Sequence, residues 1–198
     1  MNLPNALTLV RMFLVPLLVV ALLTEFEGER VLGVSKELIG AGIFAVASMT
    51  DWLDGYLARR RRQVTSLGQI LDPIADKLLT SAAFISLVQL NLVPAWMVAI
   101  IIGREFAVTG LRSLAYNKGI TMPASPLGKI KMASQVTAIL LLILGSGPMP
   151  WLAPIGYVVM WVVMLTAIGS AIDYYRRFQV LQNARVTDVN IARERKVS

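Results

Sequence analysis

The stretch Asp51-Trp52-Leu53-Asp54-Gly55-Tyr56-Leu57-Ala58-Arg59, followed after eight residues by Gly68-Gln69-Ile70-Leu71-Asp72-Pro73-Ile74-Ala75-Asp76, decides how this chain is read. It sets four carboxylates into an otherwise oily sequence: Asp51 and Asp54 at i, i+3, Asp72 and Asp76 at i, i+4. On helices, such spacings put each pair on one face. Carboxylates at the edge of an apolar medium are costly unless something cationic binds them. Two pairs on neighbouring helices therefore form the kind of oxygen-donor set that holds a hard dication, Mg2+ or Mn2+. Gly55, Ala58 and Gly68 remove side-chain bulk where a ligand could approach the backbone, and Pro73 suits the first turn of a helix.

Around this stretch the chain is built for lipid. Of its 198 residues, 56% are hydrophobic and only 16% charged, and the mean hydropathy of +0.66 is far from that of a water-soluble domain of this length. Uncharged runs cover 12–24, 38–50, 78–103 and 132–172. The third is interrupted at Asn91 to Pro94 and the fourth at Gly145-Ser146-Gly147-Pro148-Met149-Pro150. A single span needs about 20 residues, so each of these two runs is a helical hairpin. The expected fold is all-α and integral to the membrane. Its six transmembrane helices fall at roughly 8–24, 36–60, 68–90, 93–116, 126–145 and 151–177, preceded by a short N-terminal interfacial segment. Residues 1–177 make one membrane-embedded catalytic domain, and the basic, polar residues 178–198 a frayed cytosolic tail.

Charge orients the helices. Of the 19 lysines and arginines, only Arg30 and Lys36 fall in the loops on one side; Arg59 to Arg62, Arg112, Lys118, Lys129, Lys131 and the tail from Arg176 onward lie on or near the other. The positive-inside rule puts both termini and the aspartate stretch at the cytosol. The net charge of +7 is met by anionic headgroups rather than by nucleic acid. Cysteine and histidine are absent, which excludes disulfides, thiol nucleophiles and the usual zinc ligands. The first apolar run lacks the basic start and small-residue cleavage site of a signal peptide.

Read end to end, Asp51-x-x-Asp54-Gly55-x-x-Ala58-Arg59-x8-Gly68-x3-Asp72-x3-Asp76 resembles the motif of the CDP-alcohol phosphotransferases and matches it at every fixed position. The resemblance implies a transfer chemistry with two divalent cations, Mg2+ or Mn2+. By it, Asp51 and Asp72 bridge the two metals and Asp54 completes the first. Asp76 sits by the second and is the catalytic base that deprotonates the acceptor hydroxyl. Gly55, Ala58 and Arg59 line the cytidine diphosphate pocket, with Thr65 a further contact. Two metals so placed neutralise a pyrophosphate and stabilise attacking and departing oxygens. Family members form homodimers, so a homodimer is expected here. The competing explanation, acids that cap helices or pair with Arg59 to Arg62, accounts for one Asp–Arg pair but not for the whole pattern.

Three further segments resemble a bacterial branch of that family, the phosphatidylglycerophosphate synthases: Asn2 to Arg11, Gly103-Arg104-Glu105-Phe106-Ala107-Val108-Thr109-Gly110-Leu111-Arg112, and Leu127-Gly128-Lys129-Ile130-Lys131. Where such enzymes often carry Thr after the second lysine, Met132 stands here. The branch implies transfer of a phosphatidyl group from CDP-diacylglycerol to sn-glycerol 3-phosphate. The products are phosphatidylglycerophosphate and CMP, made at the bacterial cytoplasmic (inner) membrane. By resemblance Asn5, Thr8 and Arg11, which share one helical face, close over the nucleotide side of the CDP-diacylglycerol pocket.

The charges agree with an anionic acceptor. Arg104 and Glu105 lie well inside an apolar helix, where charge is paired or functional. Arg104, Arg112, Lys129 and Lys131 are the candidates for the acceptor phosphate, held by charge-assisted bonds. Arg104 could equally pair with Glu105 as internal scaffolding, and the lysines could snorkel to headgroups. Two rivals remain: a sister enzyme whose acceptor is inositol phosphate or serine, and a cation-coupled transporter, since intramembrane carboxylates also mark ion paths.

Overall fold

The computed structural model describes the backbone of residues 3–24, 30–31, 33–61, 66–117 and 126–197, and side chains over most of these; those of 3–5, 7, 30–31, 51–61, 66–70, 72, 117, 126–129, 181 and 183–197 lie outside the description. Six helices carry the chain: α1 (Leu3–Leu23), α2 (Lys36–Arg61), α3 (Ser66–Gln89), α4 (Ala95–Asn117), α5 (Pro126–Gly145) and α6 (Leu152–Val197). A two-residue antiparallel ribbon, β1 (Arg30–Val31) with β2 (Val34–Ser35), stands before α2, with Arg30 opposite Ser35. Gly33 takes a φ of +82° in its turn, a conformation open to a residue without Cβ.

The breaks in the apolar runs become the helix ends. At the close of α3, Asn91 adopts a left-handed φ of 57°. Its N–H donates to the Val88 carbonyl at 3.0 Å, and the Leu92 N–H donates to that of Leu87 at 2.9 Å. This is a Schellman cap, which Asn supplies when Gly does not. Pro94 then lets α4 begin. At the other break Gly145 is buried, and a Cβ there would come within 2.5 Å of the Ala153 backbone nitrogen. Only a residue without a side chain lets the α5–α6 turn close this tightly.

Two expectations change. Residues 3–11 are not a separate interfacial segment but the first turns of α1, which runs unbroken to Leu23. Pro4 falls in the first turn, where no backbone N–H is missed, and Thr8 and Arg11 are buried, joining this end to the bundle. Nor do residues 178–197 fray: α6 continues as helix to Val197. That stretch contains neither Gly nor Pro, so nothing local stops the helix where the apolar run ends.

The core draws on every helix: Leu18 and Leu22 from α1, Phe44 from α2, Phe84 and Leu87 from α3, Met97 and Ile101 from α4, Ile139 and Ile143 from α5, Met160 and Val163 from α6. α1 packs against α2 and α3, α6 against α4 and α5, and α2 touches α3 and α5. The outward surface is also apolar, with Phe13, Ile85, Trp151 and Leu165 exposed. Among the described residues, Leu152–Val180 is long and apolar enough to cross a membrane; Thr8–Leu23 and Ile130–Gly145 are shorter apolar helices.

Candidate functional site

α2 and α3 are consecutive, with four residues between Arg61 and Ser66, so the end of α2 and the start of α3 lie at one end of the bundle. Asp51 and Asp54 belong to the last turns of α2; Asp72 and Asp76 belong to the first turns of α3. The side chains of Asp51, Asp54, Asp72, Gly55's neighbours Ala58 and Arg59, and Asn5 lie outside the described residues, as does Thr65 altogether. Among the described residues no three acidic side chains converge, and of the four aspartates only Asp76 has its side chain among them. The backbone nonetheless carries both pairs on adjoining helices, and four carboxylates are the donor chemistry that Mg2+ or Mn2+ takes. The residues present therefore fit a divalent metal centre.

Asp76 opens into a cavity of about 250 Å3 between α3, α4, α5 and α6. From α3 come Asp76, Lys77 and Thr80; from α4, Arg104, Glu105, Val108, Thr109 and Arg112. α5 contributes Lys131, Met132, Gln135 and Val136, and α6 contributes Tyr174. The candidate base and three of the four cations expected to bind the acceptor thus share one cavity, while the side chain of Lys129 lies outside the described residues. Lysine and arginine supply four positive charges to the lining and Asp76 with Glu105 two negative ones, leaving an excess of two. That excess complements a phosphate dianion.

Local geometry separates the cations from one another. Arg104 is committed. Its Nε donates to the Ala167 carbonyl at 3.1 Å, one terminal nitrogen donates to Glu105 Oε1 at 2.9 Å, and the other donates to Ser170 Oγ. Two of these bonds tie α4 to α6, so the scaffolding role left open for Arg104 is realised at least in part. Lys131, 3% exposed, pairs with the same Glu105 oxygen. A buried ammonium needs such a partner, and Glu105 so joins α4 to α5. Arg112 is solvent-exposed and donates to Tyr174 Oη at 2.6 Å. Arg104 and Arg112 sit at i, i+8 on α4, facing Ala167, Ser170 and Tyr174 at i, i+3, i+7 on α6. These rows are the surface ridges of two packed helices.

On the third helix, Thr80 Oγ1 donates to the Asp76 carbonyl at 3.0 Å. Thr8 and Arg11, expected at the nucleotide side, are buried at 0% and 1% exposure on α1, which packs against the two aspartate-bearing helices. A guanidinium held this deep is functional or structural, not a surface charge.

The family of CDP-alcohol phosphatidyltransferases matches residues 1–169. The chain belongs to that family. The CDP-diacylglycerol–glycerol-3-phosphate 3-phosphatidyltransferase of Bacillus subtilis is 44% identical over 183 residues, covering 89% of this chain and 94% of its own. That of Rickettsia felis is 36% identical, covering 88% and 94%. A probable phosphatidylglycerophosphate synthase of Mycobacterium tuberculosis is 39% identical, covering 89% and 81%.

Within this CDP-alcohol phosphatidyltransferase several cavity residues went unnamed in the sequence reading. Gln135 carried a usable signal: a polar residue one turn after Lys131 in an apolar helix, 4% exposed, is costly unless it has a purpose. Lys77 stands one residue past the end of the aspartate motif, which ends at Asp76. Tyr174 carried no signal at all, since it meets Arg112 from 62 residues away. Met132, the departure from the branch's usual Thr, lies in the cavity lining itself.

Proposed function

We propose that this chain transfers the phosphatidyl group of CDP-diacylglycerol to sn-glycerol 3-phosphate, releasing CMP and forming phosphatidylglycerophosphate, as its relatives are named for doing. The observation that carries the reading is that Asp76, Arg112 and Lys131 line one shared cavity. A small phosphate ester seated on the cations presents its free hydroxyl towards the carboxylate. Asp76 accepts the proton of that hydroxyl as its oxygen attacks the diacylglycerol-side phosphorus. The bond from this phosphorus to the bridging oxygen breaks, and that oxygen leaves with CMP. General-base assistance of this kind contributes about 10²–10⁴-fold.

Asp51, Asp54, Asp72 and Asp76 would hold two divalent cations, Mg2+ or Mn2+, whose chemistry when bound is neutralisation of the pyrophosphate and of the departing oxygen. Arg59, Gly55, Ala58 and Thr65 would receive the nucleotide, with Asn5, Thr8 and Arg11 closing from α1. The positive cavity favours a phosphorylated acceptor over serine, because zwitterionic serine brings no net charge to offset the two excess cationic charges of the lining.

The reading includes a multi-pass protein of the bacterial cytoplasmic membrane, with six spans and with termini and site at the cytosol. Exposed Phe13, Ile85, Trp151 and Leu165 around the bundle support a lipid-facing surface, since contiguous apolar surface of this kind is rare on soluble monomers. The asymmetry of lysine and arginine supports the orientation, and the homodimer rests on family resemblance. The deciding experiment measures CMP release by purified protein in detergent with CDP-diacylglycerol and Mg2+, with glycerol 3-phosphate, inositol phosphate and serine offered separately. Turnover with glycerol 3-phosphate alone is expected; turnover with another alcohol would replace the acceptor, and silence with all three, Mn2+ included, would sink the enzyme reading.

A further inference from the structure

Two arginines of α4 line the cavity, and the structure gives them opposite circumstances. Arg104 spends all three of its nitrogens on Ala167, Ser170 and Glu105. Among the described residues Arg112 pairs with no carboxylate; its partner is the Tyr174 hydroxyl, at 2.6 Å. The same ring lies under the guanidinium, its centroid 5.2 Å from Cζ. Tyr174 is itself 4% exposed and fixed in α6, whereas the arginine stem reaches out from an exposed position.

Resting on the acceptor-phosphate reading above, we propose that Tyr174 is a positioning residue for acceptor recognition: it anchors the Arg112 guanidinium so that its remaining N–H groups face the cavity as a preformed fork for the acceptor's phosphate. A guanidinium has five N–H donors in one plane. The tyrosine takes one from a single terminal nitrogen, leaving Nε and the other terminal nitrogen with donors for two phosphate oxygens. The ring face adds a cation–π contact without consuming a donor. A neutral partner matters here. A carboxylate at Tyr174's place would cancel the charge that the phosphate needs, while a hydroxyl fixes the side chain and leaves that charge uncancelled. An arginine free to rotate loses side-chain entropy worth up to about 2 kcal/mol when it is ordered. Tyr174 meets that cost during folding, and the acceptor does not meet it on binding.

The test is a double-mutant cycle read in steady-state kinetics. Tyr174→Phe keeps the ring and removes the hydroxyl. It is expected to raise KM for glycerol 3-phosphate about three- to tenfold, with KM for CDP-diacylglycerol unchanged and kcat within about twofold. Arg112→Ala is expected to raise the same KM further, and adding Tyr174→Phe to it to change nothing more, because the hydroxyl acts only through the guanidinium. If Arg112→Ala leaves KM for glycerol 3-phosphate unmoved, the phosphate reading of the cavity fails and this proposal with it. If Arg112→Ala raises that KM while Tyr174→Phe is silent, or the two effects simply add, the anchoring role is overturned and the phosphate reading stands. A Tyr174→Phe protein that melts lower and raises both KM values equally would make Tyr174 a packing residue and overturn the proposal too.

Discussion

Arg104→Lys separates two roles that the same residue could hold. The side chain is 8% exposed and makes three bonds, to the Ala167 carbonyl at 3.1 Å, to Ser170 Oγ and to Glu105 at 2.9 Å. A lysine ammonium has no planar fork, so it keeps one of these, and the two bonds crossing to α6 are the ones at risk. Each bond from a charged donor is worth about 1.5–3 kcal/mol; halved, because Ser170 Oγ still donates to the Ala167 carbonyl at 3.1 Å, the two together amount to about 1.5–3 kcal/mol. In a protein of this size each kcal/mol moves Tm by about 2–4 °C, so the variant should melt about 3–12 °C lower. The assay is thermal unfolding in detergent, followed by circular dichroism, beside steady-state CMP release well below the transition. KM for glycerol 3-phosphate should change by less than about threefold. A melting point within about 2 °C of the parent, together with a tenfold or greater rise in that KM, would refute the reasoning. Arg104 would then be a ligand of the acceptor and not the tie between α4 and α6.

Lys131→Met keeps the volume of a buried side chain and deletes its charge; losing one charged bond to phosphate should raise KM for glycerol 3-phosphate about 10–100-fold, read from CMP release against acceptor concentration. Asp76→Asn removes the base without removing bulk, and kcat should fall about 10²–10⁴-fold while the melting temperature holds, a retained rate ruling out Asp76 as the proton acceptor. Chelation with EDTA should abolish turnover and added Mg2+ or Mn2+ should restore it; undiminished activity after exhaustive chelation would remove the metals from the scheme.

Much of this molecule was legible before folding because the signals are local. The helix expected at 36–60 is Lys36–Arg61, that at 93–116 is Ala95–Asn117, and that at 126–145 has the same limits. Apolar runs and the residues that interrupt them, Asn91 and Pro94 or Gly145 to Pro150, act within one or two turns, so counting along the chain finds them. The aspartate motif is legible for the same reason, its four acids being spaced by helical geometry alone. At the ends of the chain composition and conformation part company: a change from apolar to polar residues ends an apolar run, but a helix ends where a cap or breaker stands, as at Asn91 and Gly145. α6 accordingly runs on to Val197.

What the sequence by itself determined is the set of helices, the family motif and the charge types from which a phosphate site could be assembled. What the tertiary structure alone decided is how each charge is employed. Arg104 and Arg112 are two turns apart on one helix, both candidates for the acceptor phosphate, and their spacing alone does not tell the scaffold from the ligand. α6 does so by presenting a carbonyl and a serine to one and a tyrosine to the other. A side chain's task depends on which groups lie within about 3 Å of it. For a charge inside a helical bundle those groups come from another helix, at a separation in sequence that no periodicity encodes.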